Sequence, residues 1–424
     1  MKELLIDVIE REKHNIIALG SNLFENPELG YKEFKTREIV KEYIKNIKLT
    51  DYRDFAITGL KATIGESGTH IGLLCDMDAL PTLGHSYATN EDLAAHSCGH
   101  NGQMTIMVGA FKAIYDSGIL DRIGGRVSLI LAPAEEFVDF DYRLNLIKER
   151  KIKAFSGKQN AILEGVFDNI DVVLSSHGNG LEGNKIELNT SSNGFVAKTA
   201  TFKGKSAHAG AYPHTGRNAL NAAILSLQAA ALLRETYQDD HHVRFHPIIK
   251  NGGTTVNTVP DKVVVETYVR AASVDAILDA NSKIDNAFIH SAKALGCECE
   301  IVKIPGYLPS NYYSALSKYI ERNTQNLIEN EDIFSGGKTF ASDDVADVSA
   351  IKPVLHFGYS GFCGTFHGAD FGIKDTNMAY IIPSKLIAAT TLDMLLNQEE
   401  IKADLKIFKP SMTKEEYIKN WLGF

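Results

Sequence analysis

The sequence contains few cysteines and few prolines, and this scarcity excludes several classes of protein. Five cysteines in 424 residues, an odd number, are too few for a disulfide framework and suit a reducing compartment, so we expect a cytoplasmic protein. With 11 prolines and 44% hydrophobic and 23% charged residues, the composition is that of an ordinary globular chain rather than a disordered one. A single core usually serves no more than about 250–300 residues, so two domains are expected.

The sequence also lacks long runs of one residue class. It has no block of Lys and Arg, and its formal net charge is -9, so the electrostatic footprint of a nucleic-acid-binding protein is missing. No uninterrupted stretch of 18 or more apolar residues occurs, which predicts no membrane span. Residues 1–7 mix charged with apolar residues, unlike the apolar core of a signal peptide. We therefore expect neither a nucleic-acid partner nor a membrane partner.

Short apolar runs alternate with helical patterns in the first part of the chain. The runs at 71–75, 127–131 and 172–174 are typical of buried strands, and each is followed by polar side chains. This alternation predicts an α/β fold with a mixed, largely parallel sheet flanked by helices. In such a sheet, functional groups gather beyond the carboxyl ends of the strands.

The pattern changes at about residue 190. From there to 304 the predicted order is strand, helix, strand, strand, helix, strand, which indicates an inserted ferredoxin-like α+β domain. A strand pattern like those of the first domain returns at 352–357, and 386–396 is predicted to be a final helix. We therefore expect one discontinuous domain, residues 1–189 and 305–424, interrupted by a second domain at 190–304.

A thiol and an imidazole, Cys98 and His100, flank Gly99 just before a helical pattern. Both side chains could face one ion from a loop at the start of the helix, and thiolate, imidazole and carboxylate groups are ligands of Zn²⁺. Taken alone, the motif is more simply explained as a buried thiol beside a surface histidine.

Two adjacent carboxylates, Glu135 and Glu136, follow the strand at 127–131. At the end of a buried strand they cost desolvation free energy unless they are paired or bind a metal. One could bind a metal while the other activates water. A solvated acidic loop is the alternative, and it is weakened because His177 follows the next predicted strand in the same manner.

The ordered motifs of the chain resemble those of the dinuclear metalloamidohydrolases of the aminoacylase and carboxypeptidase type. The resemblance is to the branch that contains hippurate hydrolase, indole-acetyl-amino-acid hydrolase and aminobenzoyl-glutamate hydrolase, and it covers nearly the whole chain. The motifs are Asn26-Pro27-Glu28-Leu29-Gly30, Asp76-Met77-Asp78-Ala79-Leu80-Pro81, Cys98-Gly99-His100, Pro133-Ala134-Glu135-Glu136, His177, Ser206-Ala207-His208-Ala209-Gly210, Asn257-Thr258-Val259-Pro260-Asp261 and His367.

This resemblance implies a metal-dependent hydrolase that cleaves the amide bond of an N-acyl or N-aroyl amino acid or a similar small amide. It implies two divalent ions, Zn²⁺, Mn²⁺ or Co²⁺, with Cys98 bridging them and Glu135 as the general base toward a metal-bound water. The inserted domain becomes a lid and dimerisation domain of a homodimer. The implied metal ligands are Cys98, His100, Glu136, His177 and His367.

Three further roles concern the inserted domain. The resemblance implies that His208 reaches the active site of a partner subunit and helps to hold the oxyanion, and that Asn257 contacts substrate. A turn-forming role is the alternative for Asn257, which precedes Val259-Pro260-Asp261. Arg270 ends a predicted strand and could bind a substrate carboxylate bidentately, although a surface ion pair explains it equally well.

Several residues depart from the family pattern. Asn101 stands where many relatives have Asp, and the acidic segment 341–349 replaces a shorter motif, features that favour the aminobenzoyl-glutamate-like relatives. Segment 142–158 lengthens the connection after Glu136, which leaves the substrate open. Asp76 and Asp78 lie where other branches have a His-x-Asp metal motif, so we expect them to orient His100 rather than bind metal.

Two alternatives to the predicted activity stay open. One is an aminopeptidase or dipeptidase of the same fold, and the other is a non-catalytic relative that binds metal or a small amide. For the last ligand, His356 competes with His367 because it lies in a strand-like run.

Overall fold

The computed structural model describes residues 1–183, 185–312, 314–329 and 332–423. They form two compact units. The first comprises Met1–Ser191, Asn311–Lys338 and Asp347–Phe424, and the second comprises Ser192–Ser310 and Thr339–Ala346.

The first unit is built on a large mixed sheet, in which eight strands are seen among the described residues. The strands are β1 (Asp51–Phe55), β2 (Gly59–Ser67), β3 (His70–Asp76), β6 (Gly125–Ala132), β7 (Val172–Gly178), β8 (Ile186–Leu188), β13 (Ile333–Ser335) and β14 (Val354–Tyr359). Their spatial order is β1-β2-β6-β3-β7-β14-β8-β13. The central neighbours β6, β3, β7 and β14 run parallel, whereas β1, β2 and β8 pair antiparallel to their neighbours β2, β6 and β14.

Helices and short hairpins complete this unit. The helices are α1 (Lys2–Arg11), α2 (Lys13–Phe24), α3 (Phe34–Ile44), α4 (His100–Asp116), α5 (Leu120–Ile123), α6 (Phe140–Lys148), α7 (Gly157–Leu163), α10 (Ser317–Leu327), α11 (Val345–Ile351), α12 (Ile382–Leu396), α13 (Gln398–Ile407) and α14 (Lys414–Glu416). The helix α4 is almost wholly buried and packs against α2, α12 and β3, because apolar residues surround most of its circumference. The short strand pairs are β4 (Leu80–Pro81) with β5 (Ala94–Ala95) and β15 (Phe362–Cys363) with β16 (Gly372–Ile373).

The second unit combines a four-stranded antiparallel sheet with two helices. Its elements are β9 (Gly194–Lys203), α8 (Ala219–Leu232), β10 (Arg244–Asn251), β11 (Lys262–Ala271), α9 (Val274–Ala294) and β12 (Glu298–Pro305). The sheet has the order β10-β11-β9-β12, and α8 and α9 pack together. The chain order is strand, helix, strand, strand, helix, strand, so the ferredoxin-like prediction is confirmed, as is the mixed, largely parallel sheet of the first unit.

The prediction of a final helix at 386–396 is wrong in its extent. The helix α12 starts at Ile382, directly after a π-helical turn at Asn377–Ile381, and α13 follows it. The stretch Asn377–Leu396 has the length and apolar composition of a membrane span, with a mean hydropathy of 1.3, and is the one such helix among the described residues. The fold buries 89% of it, as expected for a core helix of a folded domain.

Candidate metal centre

The predicted residues of the first unit meet at the carboxyl edge of its parallel strands. Because β6, β3 and β7 are adjacent, the segments that follow them are neighbours. Glu135 and Glu136 follow β6, Asp78 follows β3, and His177 lies near the end of β7. Because these parallel strands end at the same edge of the sheet, side chains that are distant in sequence lie close together there.

Cys98 lies at the centre of this cluster. Its Sγ is 3.5 Å from Nε2 of His177 and 3.3 Å from Nε2 of His367, and the same nitrogen of His367 is 3.4 Å from Oε1 of Glu136. Among the described residues of the first unit, ligand atoms within 4.8 Å of one another form three overlapping groups. They are Cys98 with His100 and His177, Cys98 with Glu136 and His367, and His100 with Glu135 and Glu136. Two of the three groups share the thiol, which is the arrangement expected of a bridging ligand.

Left-handed backbone conformations occur at two positions of the cluster, Gly99 and His367. Gly99, the N-cap of α4, has φ +78°, a left-handed conformation that glycine adopts without strain, and it separates Cys98 from His100. His367 has φ +64°, between the short strands β15 and β16, and half of its side chain is exposed. His367 therefore lies at the solvent-facing rim of the cluster, whereas His100 is fully buried. The competing residue His356 lies in β14 and stacks on Tyr312, so it does not join these groups.

Divalent cations fit this donor set. Within the described ranges, Nε2 of His100 and Oε1 of Glu136 are buried without a hydrogen-bond partner, a costly situation for two groups that offer electron pairs. Burial, together with the charges of Glu136 and Glu135, raises the pKa of Cys98 well above its usual range. A divalent ion would satisfy the imidazole and carboxylate atoms and favour the thiolate, because these groups are metal ligands in their deprotonated forms.

Asp78 connects the imidazole to the acidic loop. The backbone carbonyl of Asp78 accepts the Nδ1 proton of His100 at 2.8 Å, which fixes the tautomer and leaves the Nε2 lone pair facing the cluster. Burial disfavours the Asp78 carboxylate, but the hydrogen bond and charge of His100 and the charge of Arg143 outweigh this and lower the pKa of Asp78. Burial likewise opposes protonation of His100, yet Asp78 raises the pKa of that imidazole to about 9, so binding of a metal to Nε2 would displace a proton from this nitrogen.

Arg143 is a buried residue that the sequence reasoning missed. Its guanidinium donates to the backbone carbonyls of Ala134 at 3.2 Å and Phe155 at 3.0 Å, and also to the carbonyl of Glu136. Two of these carbonyls flank Glu135, so Arg143 fixes the backbone on both sides of the predicted base. Arg143 lies on α6, within the segment after Glu136 that the sequence analysis noted only for its length. A single arginine in a charged helix gives no sequence signal of such a role.

Asp76 and Asp78 have different surroundings. Asp78 contacts His100, as predicted, whereas the carboxylate of Asp76 pairs with the ammonium of Lys158, and both of those side chains are buried. Asn101 lies one residue beyond the cluster and donates to the hydroxyl of Tyr380 at 3.0 Å, so its amide packs α4 against the segment before α12.

Three predicted residues belong to the second unit. His208 is exposed, and its Nδ1 accepts the backbone N–H groups of Gly210 at 3.2 Å and Ala211 at 3.0 Å. Asn257 is exposed, and its carbonyl accepts the N–H of Ala209 at 2.9 Å, so the predicted turn segment is tied to the His208 loop.

Arg270 lies on β11, directly opposite Arg244 of β10. Its guanidinium lies over the rings of Phe195 at 5.1 Å and Tyr268 at 5.3 Å, and it donates to Ser342 at 2.8 Å. The described contacts thus place the Arg270 guanidinium against two aromatic rings and the Ser342 hydroxyl.

Comparison with known proteins supports the same class. Residues 190–294, about a quarter of the chain, match the model of the peptidase dimerisation domain. The Xaa-Arg dipeptidase of Homo sapiens is 28% identical to this chain, over 97% of this chain and 93% of the dipeptidase. The N-acetyl-L-cysteine deacetylase of Bacillus subtilis is 31% identical over 60% of this chain and 59% of its own. One of the chains of the p-aminobenzoyl-glutamate hydrolase of Escherichia coli is 26% identical over 74% of this chain and 64% of its own.

Solved structures share the fold. A putative aminohydrolase from methicillin-resistant Staphylococcus aureus superposes with a TM-score of 0.74 over 93% of this chain and 100% of its own, at 21% identity. A dinuclear metal-binding peptidase from Bacillus subtilis superposes with a TM-score of 0.67 over 91% and 99%, at 18% identity.

Fold, site and relatives together define a metal-dependent hydrolase of amide bonds, with a donor set for two divalent ions. The similarities support the M20 group of metallopeptidases and amidohydrolases, which includes the amino-acid conjugate and aminobenzoyl-glutamate hydrolases that this chain resembles.

Proposed function

We propose that this protein hydrolyses the amide bond of a small N-acyl or N-aroyl amino acid at the cluster centred on Cys98. The observation that carries the proposal is that the Glu135 carboxylate lies beside the potential ligand groups that share Cys98. Glu135 lies with Oε2 3.8 Å from Nε2 of His100, next to the ligand groups that Cys98 joins. The proposed ligands are Cys98, His100, Glu136, His177 and His367.

Glu135 serves in this proposal as the proton carrier. The bound ions, Zn²⁺, Mn²⁺ or Co²⁺, supply Lewis acidity toward the amide carbonyl and the attacking water. The Glu135 carboxylate accepts a proton from that water and then delivers it to the nitrogen of the departing amine. Asp78 and Arg143 hold the backbone of Glu135, which keeps the carboxylate in place during both transfers.

The second unit provides groups suited to substrate. Arg270 of β11 and Arg244 of β10 are cross-strand partners, so two guanidinium groups lie on one side of this sheet. We assign Arg270 to the free carboxylate of the amino-acid part of the substrate, since guanidinium binds carboxylate bidentately. Asn257, tied by its backbone to the His208 loop, is proposed to contact the same substrate.

His208 is proposed to donate a hydrogen bond to the oxyanion in the active site of a partner subunit. The two backbone N–H groups that its Nδ1 accepts require the neutral ring to carry its proton on Nε2, which makes that atom a donor. Such a donor stabilises the developing negative charge without moving a proton.

A homodimer is supported by the surface of the second unit. The strand β10 is a sheet edge and exposes Ile248 and Ile249, while α8 exposes Ile224 and Leu232. An edge strand with exposed apolar side chains invites pairing with another chain. The match to a peptidase dimerisation domain over residues 190–294 supports the same assembly. We place the protein in the cytoplasm, in keeping with its free cysteines.

A dipeptidase activity is the second candidate. Its support is the similarity to Xaa-Arg dipeptidase along nearly the whole chain. A dipeptide differs from an N-acyl amino acid in its free amino group, so the acyl side of the pocket discriminates between them.

The experiment compares N-acetyl and N-benzoyl amino acids with dipeptides, using enzyme reconstituted separately with Zn²⁺, Mn²⁺ and Co²⁺. We expect turnover of the acylated amino acids that depends on added metal. Glu135→Gln should retain metal and lose turnover, whereas Glu149→Gln, an exposed acid, should retain both. Exclusive cleavage of dipeptides would establish the second candidate, and undiminished activity of Glu135→Gln would refute the assigned base.

A further inference from the structure

A polar row crosses the central sheet at the edge opposite the metal cluster. Thr63 of β2, Ser128 of β6 and His70 of β3 lie on adjacent strands, and the Ser128 hydroxyl is 2.7 Å from both the Thr63 hydroxyl and Nε2 of His70. His70 and Asp76 are the first and last residues of β3, about 20 Å apart at about 3.3 Å per residue. The row is therefore remote from the cluster at the carboxyl end.

Lys61, on the same strand as Thr63, is a buried cation without a counter-ion. Only 6% of its surface is exposed, and its ammonium donates one hydrogen bond, to the Val166 carbonyl at 2.8 Å. Among the described residues its ammonium forms no ion pair, and Asp51, the acid with the largest influence on it, acts through charge and not through a hydrogen bond. Burial lowers the pKa of Lys61, against the smaller opposing effect of Asp51. An uncompensated buried charge is costly, so this position favours an anion that is not part of the protein.

Arg126 presents a second unused donor beside it. Its Nε is buried and has no hydrogen-bond partner among the residues that the structure describes. Lys61, His70 and Arg126 line a cleft of about 470 Å³. The exposed residues Lys48, Asp51 and Glu66 also line the cleft, and their hydrated charges interact weakly.

We propose that this cleft is a binding site for a small oxyanion, either inorganic phosphate or a carboxylate. Ammonium and guanidinium groups together recognise oxygen anions through charge-assisted hydrogen bonds. The Thr63 hydroxyl, which also lines the cleft, adds a neutral hydrogen-bonding group. This inference does not depend on the proposed amide hydrolysis, because the cleft and the cluster lie at opposite ends of β3.

The test uses the metal-loaded enzyme in chloride buffer of constant ionic strength, titrated with phosphate or with acetate by calorimetry. We expect one of the two anions to bind saturably. Lys61→Met and, separately, Arg126→Gln should each weaken that binding roughly tenfold or more. Lys151→Met removes an exposed charge and should leave binding unchanged.

The variants also separate this cleft from the metal cluster, to which phosphate could bind directly. Lys61→Met and Arg126→Gln leave every proposed ligand in place, so binding at the metal would persist in both. Binding of equal strength in the two variants and the wild type would therefore overturn the proposal, as would the absence of saturable binding of either anion. If the wild type binds phosphate and the two variants lose that binding, the ligand is phosphate. If the wild type instead binds acetate and the variants lose it, the ligand is a carboxylate.

Discussion

The carboxylate of Asp78 accepts the backbone N–H of Glu135 at 3.0 Å through one oxygen, and its other oxygen accepts the N–H of Glu136 at 2.9 Å. One buried side chain thus sets the backbone of both the proposed base and an adjacent proposed ligand. It also contacts His100, so a single carboxylate couples two segments of the site.

Asp78→Asn should lower kcat and metal affinity by about 10- to 100-fold, because an amide offers only one acceptor oxygen to the two backbone donors. Steady-state kinetics at saturating metal and a metal titration measure the two effects. Asp121→Asn, an exposed acid of α5, is the control. Wild-type kinetics and metal affinity in Asp78→Asn would contradict the positioning role.

Arg143→Met should destabilise the fold by about 3 kcal/mol or more, since a buried guanidinium that donates to the carbonyls of Ala134, Phe155 and Glu136 is removed. Release of the backbone around Glu135 should also reduce kcat by up to about 100-fold with a smaller change in KM. Denaturant unfolding and kinetics test both effects. Lys148→Met on the same helix removes an exposed charge and should change neither. A variant with reduced stability but normal kcat would restrict Arg143 to a structural role.

Cys98→Ala should reduce the bound metal to fewer than two ions per chain, since two ligand groups share this thiol. Elemental analysis after gel filtration is the measurement, and Cys363→Ala, which removes an exposed thiol, should keep the wild-type content. Because the thiol pKa is raised in the metal-free protein, metal uptake releases a proton and should weaken as the pH falls. Two tightly held ions in Cys98→Ala would exclude the bridging role.

Glu33 should make stability depend on pH. Burial, and then the charge of Asp78, raises the pKa of Glu33 from an ordinary 4.5 to about 8. A raised folded-state pKa gives stability that is present below about 4.5 and is lost as the pH rises through about 8.

Glu33→Gln keeps an acceptor for the Ala134 N–H and does not ionise, and its amide N–H can donate to the Thr58 hydroxyl, which donates to Glu33 in the wild type. Its stability relative to wild type should therefore increase between pH 5 and pH 9, by at least about 1 kcal/mol. Urea unfolding at each pH measures this, with exposed Glu25→Gln as the reference. A difference that does not vary with pH would show that Glu33 has no raised pKa.

The sequence predicted the elements that depend on local pattern and on strand ends. Buried strands such as Ile71 to Cys75 can be predicted from their apolar runs. Polar residues that follow parallel strands share one edge of the sheet, so the sequence alone predicted that Glu136 and His177 lie close together. Other features depend instead on which side chains come into contact in the folded protein. These are the hydrogen bond from the Glu135 amide to Asp78, the hydrogen bonds of Arg143 to three carbonyls, and the burial of Lys61. Periodicity carries no information about such contacts. The start of α12 at Ile382 was missed, and Pro383, a breaker inside a helix, lies in its first turn, where proline is tolerated.

The proposed exchange of His208 between subunits has a direct test. His208→Ala and Glu135→Gln should each be nearly inactive, one lacking the oxyanion donor and the other the base. In a mixed dimer, the subunit with intact Glu135 receives intact His208 from its partner, so one of its two sites works. Random exchange makes half of the dimers mixed and should restore about a quarter of wild-type activity. Mixing His208→Ala with the double variant His208→Ala, Glu135→Gln should restore none. Tagged chains will show whether the subunits exchange. If they exchange and the first mixture stays inactive, His208 does not act in the active site of a partner subunit.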